Sequence, residues 1–348
     1  MLLGNRREGD RVDKFSTEYV RSTIDPTGSG HRHGDLAIRW SDNSNPLGVH
    51  LVPVTVIGRG TSPTALLVGG SHGDEFEGPV AILRAVNQLD PARMTGTVIA
   101  IPCLNMPAVK ACSRTSPLDG MNMNRVFPGH ATGSPSEMLA DYIERVILPR
   151  CSVVLDLHAG GTASVFAACT LLTRTRDDSL YTAGMDLAQA FGLPVLWLLN
   201  ENNDARSLNS AAERAGVPMI AAELGGGGGC DPGMVQKAEA GILNCLAAAG
   251  ICPEPADPFG CQPETVIEIS GFDDILTAPH AGLFDRALHA GATVRRGQRA
   301  GTLFRFDEPG LRGVDIICPH DGFVLAHTNR GKVERGDMLG IVTRPCQR

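Results

Sequence analysis

Short apolar runs alternate with stretches of helical periodicity over the first 250 residues, and no other feature of the sequence limits the fold as strongly. Buried strands are predicted at residues 64–70, 97–104, 151–157, 195–199 and 217–224, and helices at 79–89, 136–148, 181–191, 207–215 and 234–249. Residues 1–50 are expected to be a polar lead-in with short strands. Strands that alternate with helices are typical of an α/β domain with a parallel or mixed sheet flanked by helices.

A proline-rich segment, residues 251–263, separates this part of the chain from the rest. It contains four prolines, and the helical periodicity ends beyond it. Segments of this composition are common between domains. We therefore expect an α/β domain over residues 1–255 and a second domain over residues 256–348.

The C-terminal part contains an internal repeat. The motif PHAGLF at 279–284 returns as PHDGFV at 319–324, and VRRGQ at 294–298 returns as VERGD at 333–337. Two copies of a strand–turn–strand unit predict a small all-β domain, which resembles the barrel-sandwich fold of biotinyl and lipoyl carriers. Those carriers display a modified lysine between the two halves. Here Lys332 lies inside the second copy, so we expect a structural or site-covering module and not a carrier.

Charge and composition argue against several classes of protein. The net charge is −7, with 31 basic and 38 acidic residues, which does not favour binding to nucleic acid or to an anionic membrane. No apolar run approaches the roughly 18 residues of a membrane helix, and the N-terminus lacks the apolar core of a secretory signal. The ten cysteines include no C-x-x-C pair, which predicts reduced thiols and a cytoplasmic protein. A homo-oligomer is one expected state.

Residues that can bind a metal follow two of the predicted strands. His72 and Glu75 come directly after strand 64–70, and His158 ends strand 151–157. The ends of parallel strands meet at one edge of a sheet, so the three side chains are expected to converge. Catalytic zinc takes three such protein ligands and leaves a fourth position open. The simpler alternatives are a solvated loop for the first two residues and a satisfied core histidine for His158.

Two more carboxylates lie near predicted strand ends. Asp156 is expected to be a strand-end acid bonded to the backbone, with a contact to His158 as the alternative. Glu223 interrupts the apolar run 217–224, where an unpaired carboxylate is costly to bury. We therefore expect a general base there, and a surface glutamate on an edge strand is the alternative. The glycines at 225–229 are predicted to make turns and to let substrate approach the backbone.

A long aperiodic loop, residues 106–134, carries two arginines among amides and glycines. Arg114 and Arg125 suit recognition of a carboxylate, because a guanidinium binds carboxylate oxygens in a two-point fork. A solvated basic loop is the alternative interpretation.

Four motifs in this order resemble the succinylglutamate desuccinylase/aspartoacylase family, a branch of the zinc carboxypeptidase-like fold. They are His72-Gly-Asp-Glu75, Asn124-Arg125 followed by Phe-Pro-Gly129, Asp156-Leu-His158 and Ala222-Glu-Leu-Gly225. The resemblance covers about residues 66–229, and the C-terminal β module also matches the family's architecture. Within the family, the stretch 119–129 looks closest to the deacetylases of ectoine breakdown, which act on N-acetyl-2,4-diaminobutyrate.

This resemblance implies a zinc carboxypeptidase-like mixed sheet and hydrolysis of the amide bond of a small N-acyl amino acid. The residues it implies are His72, Glu75 and His158 as zinc ligands, Glu223 and Arg114 as catalytic residues, and Asn124 and Arg125 as ligands of the substrate carboxylate. Glu223 would activate water and protonate the leaving amine, and Arg114 would polarise the scissile carbonyl. Two alternatives stay open: a carboxypeptidase acting on peptides, and a non-catalytic zinc-containing binding protein.

Overall fold

The computed structural model describes residues 15–43, 46–199, 203–253 and 263–346. The strands are β1 Val20–Ser22, β2 Gly30–Trp40, β3 Gly48–Gly58, β4 Thr64–Gly69, β5 Thr97–Ile101, β6 Val153–His158, β7 Ser164–Phe166, β8 Cys169–Thr173, β9 Val195–Leu199, β10 Met219–Glu223, β11 Thr265–Glu268, β12 Ile275–Thr277, β13 Gly282–Arg286, β14 Thr293–Val294, β15 Arg299–Phe304, β16 Val314–Ile317, β17 Gly322–Thr328, β18 Lys332–Val333 and β19 Met338–Pro345. The α-helices are α1 Glu77–Gln88, α2 Met106–Ala111, α3 Pro135–Tyr142, α4 Asp178–Phe191, α5 Leu208–Arg214 and α6 Pro232–Ala248. None of these helices is both long and apolar enough to cross a membrane.

The main sheet is mixed, and its strands follow the order β1-β2-β3-β5-β4-β6-β10-β8-β9-β11-β19-β17-β14. Its centre is parallel, because β4 pairs in parallel with β5 and β6, and β6 with β10. Alternate residues of β4 point to opposite faces. Leu66 and Val68 join the core under α3 and α5, whereas Ala65 and Leu67 join the core under α1, α4 and α6. The predicted fold class, a mixed sheet flanked by helices, is confirmed.

The N-terminal part is more regular than the sequence indicates. Strands β2 and β3 pair antiparallel over eleven residues each, where short strands in a polar lead-in are expected. Buried Leu36 and Ile38 on β2 alternate with less buried residues, as do Val52 and Val54 on β3. The pattern escapes prediction because both strands begin with residues of low strand propensity, among them Gly30.

The C-terminal repeat is confirmed as two copies of the same unit, β13–β14–β15 and β17–β18–β19. The copies exchange their short strands, since β14 pairs with β17 and β18 pairs with β13. Strands β16, β15, β13 and β18 form a separate four-stranded antiparallel sheet, while β19 and β17 extend the main sheet. The predicted boundary between residues 255 and 256 lies outside the described residues.

Candidate metal centre and active site

The loop that follows β4 packs closely against α2, and Gly73 makes this close approach possible. The loop carries His72 and Glu75 from the end of β4 to the start of α1. A Cβ at Gly73 would lie 2.0 Å from the backbone carbonyl of Ala108 in α2, so glycine is the residue that fits this approach. His158 is the last residue of β6, which runs parallel to β4. The topology therefore brings all three predicted ligands to one edge of the sheet.

The three side chains form a buried cluster. His72, Glu75 and His158 are 4%, 2% and 6% exposed, and one ligand atom from each lies within 4.8 Å of the others. Glu75 stands between the imidazoles: its Oε1 lies 2.8 Å from His72 Nδ1 and its Oε2 lies 3.1 Å from His158 Nδ1. Among the described residues, this is the one group of three or more histidine, cysteine or acidic side chains close enough to hold a metal ion.

The hydrogen bonds around His72 determine its tautomer, that is, which ring nitrogen carries the proton. The Oδ1 atom of Asn122 accepts from the backbone N–H of Asn124 at 2.9 Å, which identifies it as the oxygen. The same oxygen lies 3.1 Å from His72 Nε2, so Nε2 donates to it. In the neutral imidazole the lone pair is then on Nδ1, which points at Glu75. Two acceptor atoms at this distance need either a proton or a bound cation to neutralise their repulsion, so the pair can serve as metal ligands.

His158 has the same arrangement with a stronger acceptor. Its Nε2 lies 2.8 Å from Asp156 Oδ2, so it donates to a buried carboxylate while Nδ1 points at Glu75. The expectation that Asp156 bonds to the backbone is wrong: its side chain orients a candidate ligand, because residues two apart on a strand share a face. Burial favours a lower pKa for His158, but Asp156 and Glu75 together raise its pKa well above the ordinary value. The donor set fits a divalent metal such as zinc.

Glu223 lies beside the cluster at the end of β10. This strand runs between β6 and β8, and Glu223 is level with His158 in the register. It is therefore not on an edge strand. Its Oε2 is buried and has no hydrogen-bond partner among the described residues. Burial, and next the negative charge of Glu75, raise the pKa of Glu223 to about 8. A carboxyl group with this pKa can both accept and release a proton near neutral pH.

Arg114, the residue predicted to act on the carbonyl, borders the cluster; its role stays a prediction. Its Nη1 lies 3.4 Å from Glu75 Oε1 and 3.4 Å from His72 Nδ1. The side chain is 52% exposed, so it can meet a ligand that enters from solvent.

Arg125 is held in place by the protein on two sides. Its Nε lies 3.1 Å from Asp204 Oδ2, and its Nη1 donates to the carbonyl of Asn124 at 2.6 Å. Partial burial lowers the pKa of Arg125; Asp204 opposes this shift, and nearby Arg114 and Arg206 add to it. Two guanidinium groups close to one another produce a positive region suited to an anionic group.

Asn124 contacts the candidate metal-ligand cluster and also lies next to Arg125. Its Oδ1 accepts from the backbone N–H of Leu208 at 2.8 Å, so Nδ2 packs 3.3 Å from His158 Nε2; because both nitrogens are donors, this is a packing contact and not a hydrogen bond. Neither this contact nor the roles of Asn122 and Asp204 follow from the sequence. The signal for Asn122 was its place in the Met-Asn-Met-Asn stretch, two residues before Asn124.

The glycine run packs against the chain's own backbone. Gly160 N–H donates to the carbonyl of Gly225 at 2.9 Å, and Gly227 N–H donates to Gly161 at 2.8 Å. Gly226 has φ +132°, and a Cβ there would lie 2.5 Å from the carbonyl oxygen of Ser164. The glycines therefore let the loops that follow His158 and Glu223 approach each other closely; their predicted role in the approach of substrate stays a prediction.

Gly226→Ala should destabilise the protein, whereas Gly229→Ala should not. The first substitution places a methyl group against Ser164 in a left-handed backbone, at a cost of roughly 1–3 kcal/mol. A Cβ at Gly229 meets nothing within 4 Å, which makes it a matched control in the same loop. Thermal unfolding of both variants measures the difference. Equal melting temperatures would contradict this account of the loop.

Comparison with known proteins identifies the family of this chain. A profile of the succinylglutamate desuccinylase/aspartoacylase catalytic domain matches residues 61–249. The chain is also 35% identical over 326 residues to N-alpha-acetyl-L-2,4-diaminobutyric acid deacetylase from Halomonas elongata, an alignment that covers 93% of this chain and 94% of the relative. The chain belongs to the succinylglutamate desuccinylase/aspartoacylase family.

Solved structures show the same fold over almost the whole chain. The product-bound ectoine utilization protein EutE from Ruegeria pomeroyi has a TM-score of 0.89 at 31% identity, covering 94% of this chain and 100% of that one. A succinylglutamate desuccinylase/aspartoacylase from Rhodobacter sphaeroides has a TM-score of 0.87 at 32% identity, with the same coverage. The predicted resemblance to the family, and within it to the deacetylases of ectoine breakdown, is confirmed.

Proposed function

We propose that this chain is a zinc-dependent hydrolase that cleaves the amide bond of a small N-acyl amino acid, with N-α-acetyl-L-2,4-diaminobutyrate as the expected substrate. The observation that carries the proposal is the buried His72–Glu75–His158 cluster with Glu223 beside it. The named activity of the Halomonas elongata relative supports the choice of acyl group and amine.

The proposed ligands are His72 Nδ1, Glu75 and His158 Nδ1. A bound zinc ion would supply a water of lowered pKa and would polarise the substrate carbonyl. Glu223 takes a proton from the attacking water as the new C–O bond forms at the acyl carbon. The negative charge that develops on the carbonyl oxygen is stabilised by Arg114. The C–N bond then breaks, and Glu223 gives its proton to the leaving amine.

We further propose that Arg125, with Asn124 beside it, binds the carboxylate of the substrate. Asp204 and the Asn124 carbonyl already hold its guanidinium, so little side-chain freedom is lost on binding. We also propose a zinc-dependent catalytic domain over residues 1–255, a β domain over residues 256–348, and a cytoplasmic location.

Arg125→Ala should raise KM about 10- to 100-fold and change kcat little. A charge-assisted hydrogen bond to the substrate carboxylate stabilises the bound substrate and the transition state equally. Its loss therefore weakens binding by roughly 1.5–3 kcal/mol without changing kcat much. Steady-state kinetics with the acetylated diaminobutyrate measure both constants. Arg176→Ala is the control, because this exposed arginine follows β8 at the end away from Glu223. An unchanged KM in the Arg125 variant would exclude the assigned role.

The activity is tested with a panel of N-acetyl and N-succinyl amino acids and a set of peptides, with amine release as the readout. The proposal expects the highest kcat/KM for an N-acetylated amino acid. Preference for peptides would instead indicate a carboxypeptidase. Metal binding without release of any amine would indicate a binding protein.

A further inference from the structure

Asn122 contacts two groups through a single oxygen. It lies in the loop before the short 3₁₀ turn Met123–Arg125, and its Oδ1 accepts from Asn124 N–H at 2.9 Å and from His72 Nε2 at 3.1 Å. The first bond caps the turn, and the second contacts a candidate ligand on the side opposite Glu75. One residue thus joins the long loop to the metal cluster.

The two candidate histidine ligands have unequal partners. His158 donates to the carboxylate of Asp156 at 2.8 Å, whereas His72 donates to the neutral amide of Asn122 at 3.1 Å. A partner behind a ligand histidine fixes its tautomer and ring orientation, and a carboxylate also raises its basicity. The His72 side of the cluster is therefore held by the weaker of the two acceptors.

The same loop also reaches the second histidine. Asn124 Nδ2 lies 3.3 Å from His158 Nε2, while its Oδ1 accepts from Leu208 N–H at the start of α5. Asn122 and Asn124, linked to each other through the Asn124 N–H, thus contact both imidazoles on the side away from Glu75. A substitution of Asn122 should alter the orientation of His72 directly, because among the described contacts no hydrogen bond joins the Asn122 side chain to His158.

We propose that Asn122 is a positioning residue for metal binding: its Oδ1 holds His72 with Nδ1 toward Glu75 and so sets the affinity of the cluster for its metal. This inference rests on the proposed zinc site. Removing such a partner lowers metal affinity by about 10- to 100-fold in other metal centres.

Two substitutions separate this role from the capping of the 3₁₀ turn. Asn122→Asp keeps an oxygen that can accept from His72 Nε2 and can still cap the 3₁₀ turn. This variant should therefore bind zinc as tightly as the unchanged chain or more tightly. Asn122→Ser can also cap, but its shorter side chain cannot reach His72, so its zinc affinity should fall about 10- to 100-fold. Asn209→Ala, a change at a half-buried asparagine of α5 outside the cluster, should leave the affinity unchanged.

The measurement is zinc affinity by competition with a chromophoric chelator on the full chain, together with the visible absorption spectrum of the cobalt-loaded protein. The proposal expects an altered cobalt spectrum in Asn122→Ser and a spectrum of the original type in Asn122→Asp. Equal zinc affinity in the serine variant and the unchanged chain would overturn the role of Asn122 and leave the zinc site intact. Failure of the unchanged chain to bind zinc would overturn both.

Discussion

Glu223→Gln is expected to keep its bound metal and to lose roughly 10²- to 10⁴-fold in kcat, the usual contribution of a general base. Glutamine has nearly the shape of glutamate, but it cannot accept a proton from water or return one to the amine. Glu223 is not one of the three proposed ligands, and it lies level with His158 on the neighbouring strand. Metal content by elemental analysis and kcat with the acetylated diaminobutyrate give the two readouts.

The matched control for this prediction is Glu239→Gln. Glu239 is a buried carboxylate of α6 that pairs with Arg84, and it has no contact with the cluster. Its variant should retain full kcat. If Glu223→Gln were as active as the Glu239 variant, the general-base role would be excluded.

Glu75→Gln is expected to abolish stable metal binding. The carboxylate of Glu75 faces both histidine Nδ1 atoms with one oxygen each, and it receives a further hydrogen bond from Ala159 N–H at 3.1 Å. A glutamine would replace one carboxylate oxygen by an NH₂ group, which cannot ligate a metal, and would remove the negative charge that offsets a divalent cation. A bound metal lowers the activation free energy by several kcal/mol. Its loss should therefore reduce kcat/KM by roughly a thousandfold or more.

Glu77→Gln is the control for Glu75, because it lies two residues further along the same chain segment. Glu77 is also buried, at 1% exposed, but it accepts from Asp231 N–H and not from the histidines. Zinc titration of both variants should show binding in the Glu77 variant alone. Undiminished zinc binding in Glu75→Gln would remove Glu75 from the ligand set.

The sequence predicts the residues of the cluster because topology alone brings them together. His72, His158 and Glu223 stand at or just after the ends of strands that are parallel and adjacent in the sheet, β4, β6 and β10. Each strand is a mostly apolar run, so its end can be located from composition. Parallel pairing then requires the ends to meet. No knowledge of side-chain orientation is needed for this step.

The partners of those residues were beyond prediction because they depend on the packing of loops. Asp204 meets Arg125 only because the segment before α5 folds against the long loop, and neither part has a periodic pattern. The hydrogen bond from His158 to Asp156 was one of two alternatives in the sequence, and the choice between them depends on side-chain rotamers at the strand end. The β2–β3 hairpin was underestimated for a third reason: glycine and polar residues occupy both faces at the start of β2, and the exposed face of β3 carries apolar Val49 and Leu51, so the alternation is weak in the sequence.

The most direct test of the central claim is a zinc titration of chelator-treated protein, with bound zinc and amine release from N-α-acetyl-L-2,4-diaminobutyrate followed on the same samples. We expect the metal-free protein to be inactive. Both signals should rise together and reach their plateaus at about one zinc per chain, the stoichiometry of a single three-ligand site. Full activity in protein shown to be free of metal would contradict the account.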